Sequence, residues 1–310
     1  MISPPERAAL VAEAAAIIGR GSKSFRLASR LFDRETRERA WLLYAWCRAC
    51  DDRTDGQTLG HDSRPVAEPE QAFRGIADAT DRALAGETVG DPPFDALAVV
   101  AAECAIPHAF IRAHLDGFAL DAAGWRPANE RDLLRYCFHV AGAVGCMMAV
   151  VMGVAPDDEL TLDRASDLGI AFQLANIARD ITEDCENGRC YIPAEWLAEA
   201  GLKPGDLASP AHRDRVAMIA GRLAALSERY ELSGRAGAPR LPFRARWAVL
   251  AAASIYGAIG RKVAQRGAAA LDSRVIIRKR RKLASVGLAL VKASGSGDSV
   301  EREDLWTRPR

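Results

Sequence analysis

The sequence predicts an all-α fold, a single bundle of helices around a buried centre. Apolar residues make up 49% of the 310-residue chain, enough for a substantial core. Ala/Leu/Val-rich stretches with helical periodicity recur along it, and alternating strand patterns are nearly absent. Polar or Gly/Pro-rich breaks separate these stretches, and no fixed repeat period argues for a solenoid.

Helices are expected at 5–20, 36–50, 95–122, 131–153, 159–184, 215–233 and 245–268. The first lies in "MISPPERAALVAEAAAIIG". That stretch has no basic leader, and Glu6, Arg7 and Glu13 break its apolar content, so it reads as an amphipathic helix rather than a signal peptide. The second ends in the acidic run "CDDRTD", and "GQTLGHDSRPVAEPE" (56–70) follows as a polar loop. The fourth contains "VAGAVGCMMAVVMGVA" (140–155), just under the roughly 17–25 residues of a membrane span. It is expected as a buried core helix, with a span or a membrane-dipping segment as the alternatives. "GVAPDDELT" (153–161) is a turn whose Asp and Thr residues can cap the fifth helix. "GRAGAPRLP" (234–242) breaks the chain between the last two. The closing "SGSGDSVEREDLWTRPR" reads as a loosely held tail. The expectation is one domain over 1–293 and a flexible tail over 294–310.

The 42 basic and 41 acidic side chains leave a net charge of +1, so bulk electrostatics point to no nucleic-acid partner. Seven cysteines, an odd number without an export signal, read as free thiols in a reducing cytoplasm.

The chemistry concentrates in two acidic segments. On a helix, Tyr44, Arg48, Asp51 and Asp55 are spaced four, three and four apart and fall within roughly 60° of arc. In "AFQLANIARDITEDCENGRCYIP" (171–193), Gln173, Asn176, Asp180 and Asp184 share one face, while Ile170, Leu174, Ile177 and Ile181 supply a core face. Each segment thus carries D-x-x-x-D. An isolated acidic pair of this kind is ordinarily a solvated helix face. Two matched pairs, each joined to an apolar helix and flanked by arginine, point instead to metal and phosphate. Close carboxylates raise each other's pKa. A hard cation such as Mg²⁺ relieves this and keeps room for water and substrate phosphates. Asn176 and Gln173 add neutral oxygens, and Arg48 and Arg179 are placed to hold phosphate.

With these residues on view, the chain resembles the squalene/phytoene synthase family in its bacterial carotenoid form. The matching stretches are "GSKSF" (21–25), "LYAWCRACDDRTD" (43–55), "YCFHVAGAVG" (136–145), "AFQLANIARDITEDCENGRCYIPAEWL" (171–197) and "SIYGAIGRKV" (254–263) with the basic stretch after it. The resemblance covers roughly 15–285. It implies an isoprenoid-synthase bundle whose two D-x-x-x-D helices face each other across a central cavity. The implied reaction joins two molecules of geranylgeranyl diphosphate head to head through prephytoene diphosphate to phytoene. It uses Mg²⁺ or Mn²⁺ and no NADPH. Coupling of farnesyl diphosphate to squalene or dehydrosqualene is the competing reading. Chain-elongating or cyclising isoprenoid chemistry and a helical scaffold are the more distant ones.

Carried over by resemblance, Asp51, Asp55, Asp180 and Asp184 are metal ligands, with Asn176 assisting. Gly21, Ser22, Lys23, Ser24 and Phe25 form a diphosphate-binding flap. Tyr44, Arg48, Tyr136, Gln173, Arg179, Tyr256 and Arg274 surround the diphosphates. Val140, Ala141, Val144, Gly145, Met147 and Met148 are expected to wall a dry cavity for the prenyl chains. Arg53, in a position usually apolar in the family, is expected to pair with Asp52.

The pairs Cys47/Cys50 and Cys185/Cys190 could suggest zinc. Neither has a histidine nearby, and Cys47 is expected off the Asp51 face, so buried thiols are the better reading. His139 reads as a hydrogen-bonded core histidine. "SRVIIRKRRK" (273–282) holds six basic residues. A solvated charged helix and attraction to anionic lipid are both open there, and peripheral membrane association on the cytoplasmic face is expected.

Overall fold

The structure is a computed structural model that describes residues 3–56, 68–295, 300–302 and 304–310, apart from the side chains of Lys23, Ser24 and Asp55. Most of the loop expected at 56–70 lies outside the described residues. All regular structure among the described residues is helical.

The N-terminal half holds α1 (Pro4–Gly21), α2 (Lys23–Ser29), α3 (Arg34–Asp55), α4 (Pro69–Leu84), α5 (Pro92–Cys104), α6 (His108–Ala122) and α7 (Glu130–Cys137). The C-terminal half holds α8 (Ala143–Val151), α9 (Glu159–Glu186), α10 (Ala194–Glu199), α11 (Arg213–Gly237), α12 (Phe243–Arg266) and α13 (Lys279–Ser294). Local chemistry fixes many starts. Asp33, Asn129 and Asp158 cap α3, α7 and α9 by accepting from the backbone N–H groups of Thr36, Asp132 and Thr161 at 2.9, 3.0 and 3.1 Å. Proline opens α1, α4 and α5.

Two expected helices are broken. The stretch 95–122 is split where Ala105 takes a left-handed conformation (φ 50°) that ends α5. The stretch 131–153 runs as α7, a π-helical turn over Phe138–Gly142, and α8. Together they form one helical run, Glu130–Val151, long and apolar enough to cross a membrane by length and composition. Most of it is buried inside the bundle, as the core-helix reading expected.

Helix α9 is the spine, packed on α8, α11 and α12. It approaches α8 and the π turn very closely at two glycines. A Cβ on Gly145 would lie 2.3 Å from the carbonyl oxygen of Ala165, and one on Gly169 would lie 2.3 Å from that of Ala141. The core has two main lobes. One gathers Trp46, Phe94, Leu97 and Ile111, and the other gathers Leu174, Trp196, Leu223 and Tyr230.

The described residues of the C-terminal segment, 300–302 and 304–310, make contacts with the bundle. Arg302 binds the fully buried Asp167 with two N–H groups at 2.8 and 2.9 Å. Arg308, itself 4% exposed, pairs with Asp163 at 3.1 Å, and Arg310 adds a second pair to Asp163 at 3.0 Å. The backbone N–H of Trp306 donates to the Tyr230 hydroxyl at 3.0 Å, and its ring packs on Phe138. Val300 accepts from Arg164. Arg53 also departs from expectation. It pairs with Asp91 and lies over the ring of Phe94, 4.7 Å from its centroid, because α3 runs beside α5.

Candidate functional site

A cavity of about 400 Å³ lies between α2, α3, α8, α9, α11 and α12. Its body is apolar. The expected wall residues Val140, Ala141, Val144, Gly145 and Met148 line it, and Phe32, Met152, Leu168 and Leu241 extend it. Met147 is the exception; the helical turn directs it away, and it is fully buried in the core. Cys47 also departs from its expected place. One turn before Asp51, it lines the same cavity as Asp51.

Helices α2, α3 and α12 supply one polar end. Gly21, Ser22, Phe25, Tyr44, Arg48, Asp51 and Tyr256, all expected in the site, meet there. Ser22 caps α2 through its hydroxyl, which accepts from the Phe25 N–H at 3.2 Å and so holds the aromatic ring inward. Phe25 packs on Tyr44 with ring centroids 5.4 Å apart, and Phe172 stacks on Tyr256 at 4.5 Å. Arg48 sits loosely between Asp51 (3.5 Å) and Asp52 (3.6 Å). The expectations for Lys23, Ser24 and Asp55 concern side chains outside the described residues.

Helix α9 supplies the second acidic group beyond this end. Phe172 lines the cavity, and Asn176, Asp180 and Asp184 follow it on successive turns. As expected, Ile170, Leu174, Ile177 and Ile181 are buried on the adjoining face, leaving Gln173 half-buried. Asp180 is held by Arg179 (Nε–Oδ1 2.8 Å) and by Arg274 (3.0 Å), which also reaches Glu183 at 3.1 Å. The Asp184 carboxyl is pushed up to about 7, first by burial and then by the charge of Asp180, with Arg189 opposing.

Tyr136 does not line the cavity. Its hydroxyl donates to Asp121 at 3.0 Å, Tyr191 donates to the same carboxylate at 3.0 Å, and the two rings stack 4.8 Å apart. Asp121 contributes to the field on Asp184, which puts this cluster beside the second acidic group. Asp121, Tyr191 and Phe172 are the residues that spacing missed. Tyr191 was visible in the "GRCYIP" continuation, whereas Asp121 looks like an ordinary helix-end acid.

Among the described residues, Asn176 Oδ1 is buried without a hydrogen-bond partner, and the buried Tyr44 hydroxyl lies against the Arg48 guanidinium. Buried polar groups in folded proteins are nearly always satisfied, so the Asn176 oxygen is open to a ligand. Among the described residues no three His, Cys, Asp or Glu side chains converge on one point. The oxygens of Asn176, Asp180 and Asp184 nevertheless fit a hard cation whose coordination substrate oxygens and water complete. All seven cysteines are free, and His139 bonds the Ala113 carbonyl through Nδ1 at 2.8 Å, as expected.

Comparison with known proteins agrees with this geometry. The squalene/phytoene synthase family model matches residues 18–281. The chain is 45% identical over 298 residues to the 15-cis-phytoene synthase of Pantoea ananas, covering 93% of this chain and 94% of that one. It is 44% identical to the phytoene synthase of Pseudescherichia vulneris over the full length of both. The crystal structure of a dehydrosqualene synthase with ligand superposes with a TM-score of 0.83 at 26% identity, covering 94% and 98% of the two chains. A helical bundle with an apolar cavity, two acidic helix faces and these sequence matches together establish that the chain belongs to the squalene/phytoene synthase family.

Proposed function

We propose that this prenyltransferase is a phytoene synthase, which condenses two geranylgeranyl diphosphates head to head and opens carotenoid synthesis. The observation that carries the reading is the pairing of an apolar cavity with a polar end that gathers Tyr44, Arg48 and Asp51. The similarity to the phytoene synthases of Pantoea ananas and Pseudescherichia vulneris supports the C20 substrate over farnesyl diphosphate.

The residues act as follows. Arg48, Arg179 and Arg274 bind diphosphate oxygens and stabilise the charge that grows there as the allylic bond breaks. Asn176, Asp180 and Asp184, together with Asp51 and Asp55, would hold Mg²⁺ or Mn²⁺, which would supply further charge neutralisation. The faces of Phe25, Tyr44, Phe172 and Tyr256 offer negative quadrupole to the carbocation. The apolar walls exclude water that would quench it. His114, also in the wall, is held neutral; burial pushes its pKa down to about 4, so it adds no repelling charge. No reductant enters this scheme.

The test is a product assay with purified protein, geranylgeranyl diphosphate and Mg²⁺, without NADPH, with farnesyl diphosphate in parallel. C40 hydrocarbon from the first tube supports the reading. C30 product alone would transfer it to farnesyl coupling, and no coupled product from folded protein would end it.

We further place the enzyme in the cytoplasm, peripheral to the membrane. Helix α13 contains no acidic residue and opens with the basic run 278–282. Ile276, Leu283, Leu288 and Val291 along this stretch are 51–70% exposed. Flotation with phosphatidylglycerol vesicles checks this; recovery of all protein in the soluble fraction would refute it.

A further inference from the structure

A second hollow lies on the other side of α2. It is an open groove of about 770 Å³ between α1, α2 and α3. Small residues of α1 floor it, and Trp41 and four arginines, Arg20, Arg26, Arg30 and Arg37, surround it. Three helices therefore deliver four guanidinium groups to one concavity.

None of the four forms an ion pair with a carboxylate among the described residues. The acids of α3 nearest in sequence are engaged elsewhere: Glu38 holds Arg7 and Arg34, and Glu35 holds Arg39. Arg26 makes only a long contact to the Gly19 carbonyl, at 3.5 Å. Arg37 lies over the Trp41 ring, 5.5 Å from its centroid, and its Nε is buried without a partner among the described residues. The indole N–H does not compete for a ligand, because it is donated to Ser29 at 3.1 Å. Arg20 and Arg26 stand in the last turns of their helices, where the backbone dipole favours one cation each. That does not account for four converging on one groove. Like charges gathered without acids repel, and a buried donor left unmade costs free energy. A multivalent anion relieves both, and guanidinium forks match phosphate oxygens.

We propose that this groove is a second anion site, which binds a phosphate- or diphosphate-bearing ligand through Arg20, Arg26, Arg30 and Arg37. The ligand is free diphosphate or the phosphate of a lipid headgroup; the recognition chemistry is the same. The proposal stands on the groove alone, whatever reaction the cavity performs. It has one consequence for that cavity. Helix α2 presents Ser22 and Phe25 to the cavity and Arg26 and Arg30 to the groove, so an anion in the groove braces the helix that forms part of the cavity wall.

The test uses the full-length protein in EDTA, which suppresses metal-dependent binding in the cavity. Sodium diphosphate is titrated calorimetrically, and vesicle binding is compared between phosphatidylglycerol and phosphatidylcholine. The variants are Arg37→Gln and the doubly substituted Arg20→Gln/Arg30→Gln, with circular dichroism to confirm folding; the double variant removes exposed side chains only. Weakening of diphosphate binding by about tenfold or more in both variants, with Arg48→Gln leaving that binding event in place, establishes the site with a free anion. No diphosphate binding, but loss of the phosphatidylglycerol preference in the same variants, establishes it with a headgroup. If neither readout changes in folded variants, the proposal is overturned.

Discussion

Arg274 donates to Asp180 at 3.0 Å across 94 positions of sequence. The link ties the segment after α12 to the C-terminal part of the second acidic helix. Because Arg179 grips the same carboxylate, Asp180 sits between two guanidiniums. Arg274→Gln is expected to lower kcat/KM for the prenyl diphosphate by about 10- to 100-fold if, as proposed, Arg274 binds the diphosphate. Arg274 is half-exposed, so thermal stability should stay within a degree or two of wild type. Asp180→Asn is expected to cost more activity, about 10²–10³-fold. Steady-state kinetics with melting curves separate the two effects.

The docked C-terminal segment predicts a stability effect remote from the site. Asp167 is fully buried, and its pKa is raised by burial against the stabilising bonds from Arg302. Removing Arg302 leaves that charge with Ser233 as a neutral hydrogen-bond donor. Arg302→Ala is expected to destabilise by about 3 kcal/mol or more. Urea denaturation checks the figure, and an effect under 1 kcal/mol would show that the segment is not held as described.

Gly169 marks a backbone crossing with no slack. Its missing Cβ would meet the Ala141 carbonyl at 2.3 Å and the Gly142 Cα at 2.8 Å. Both obstacles are main chain, so no rotamer change can make room. Gly169→Ala is expected to cost about 1–3 kcal/mol or more and to lower Tm by several degrees. The higher helix propensity of alanine would otherwise favour the variant. A rise in Tm would therefore contradict the crossing.

His114 predicts a pH dependence. Burial holds its pKa near 4, below the roughly 6.5 of an unfolded chain. The unfolded state therefore takes up a proton that the folded state refuses. The neutral ring's contribution is complete above about pH 6.5 and is lost as pH falls from there toward 4. By pH 4.5 the loss from this group alone is on the order of 2 kcal/mol. His114→Gln should flatten the stability curve between pH 6.5 and 4.5 relative to wild type, measured by urea denaturation at each pH.

Local periodicity made the acidic faces of α3 and α9 legible. Asn176, Asp180 and Asp184 follow Phe172 on the same side of α9, and Ile170, Leu174, Ile177 and Ile181 are buried as their spacing required. The features that escaped depend on distant partners or on weak local signals. Ala105 is an ordinary helix former, yet it adopts the left-handed cap that splits α5 from α6. Arg53 has an acid beside it in sequence but reaches Asp91, because α3 and α5 lie side by side. The "DLWTRPR" end has the composition of a loose tail. Only the folded chain brings acids 135 and 147 positions away to Arg302 and Arg310. Helix α4 was hidden by the polar stretch before it, although Ile76, Ala79, Thr80 and Ala83 have helical spacing and are buried.

The run Glu130–Val151 has a consequence for how the protein is made. Emerging alone from the ribosome, it would present the length and apolarity that membrane-insertion machinery reads as a span. What hides it in the finished protein is largely α9, which follows after a short turn. At about 5–20 residues per second, the 28 residues of α9 take roughly 1–6 seconds to synthesise. Docking of α9, through the close glycine contacts at positions 145 and 169, is what takes this apolar surface out of reach.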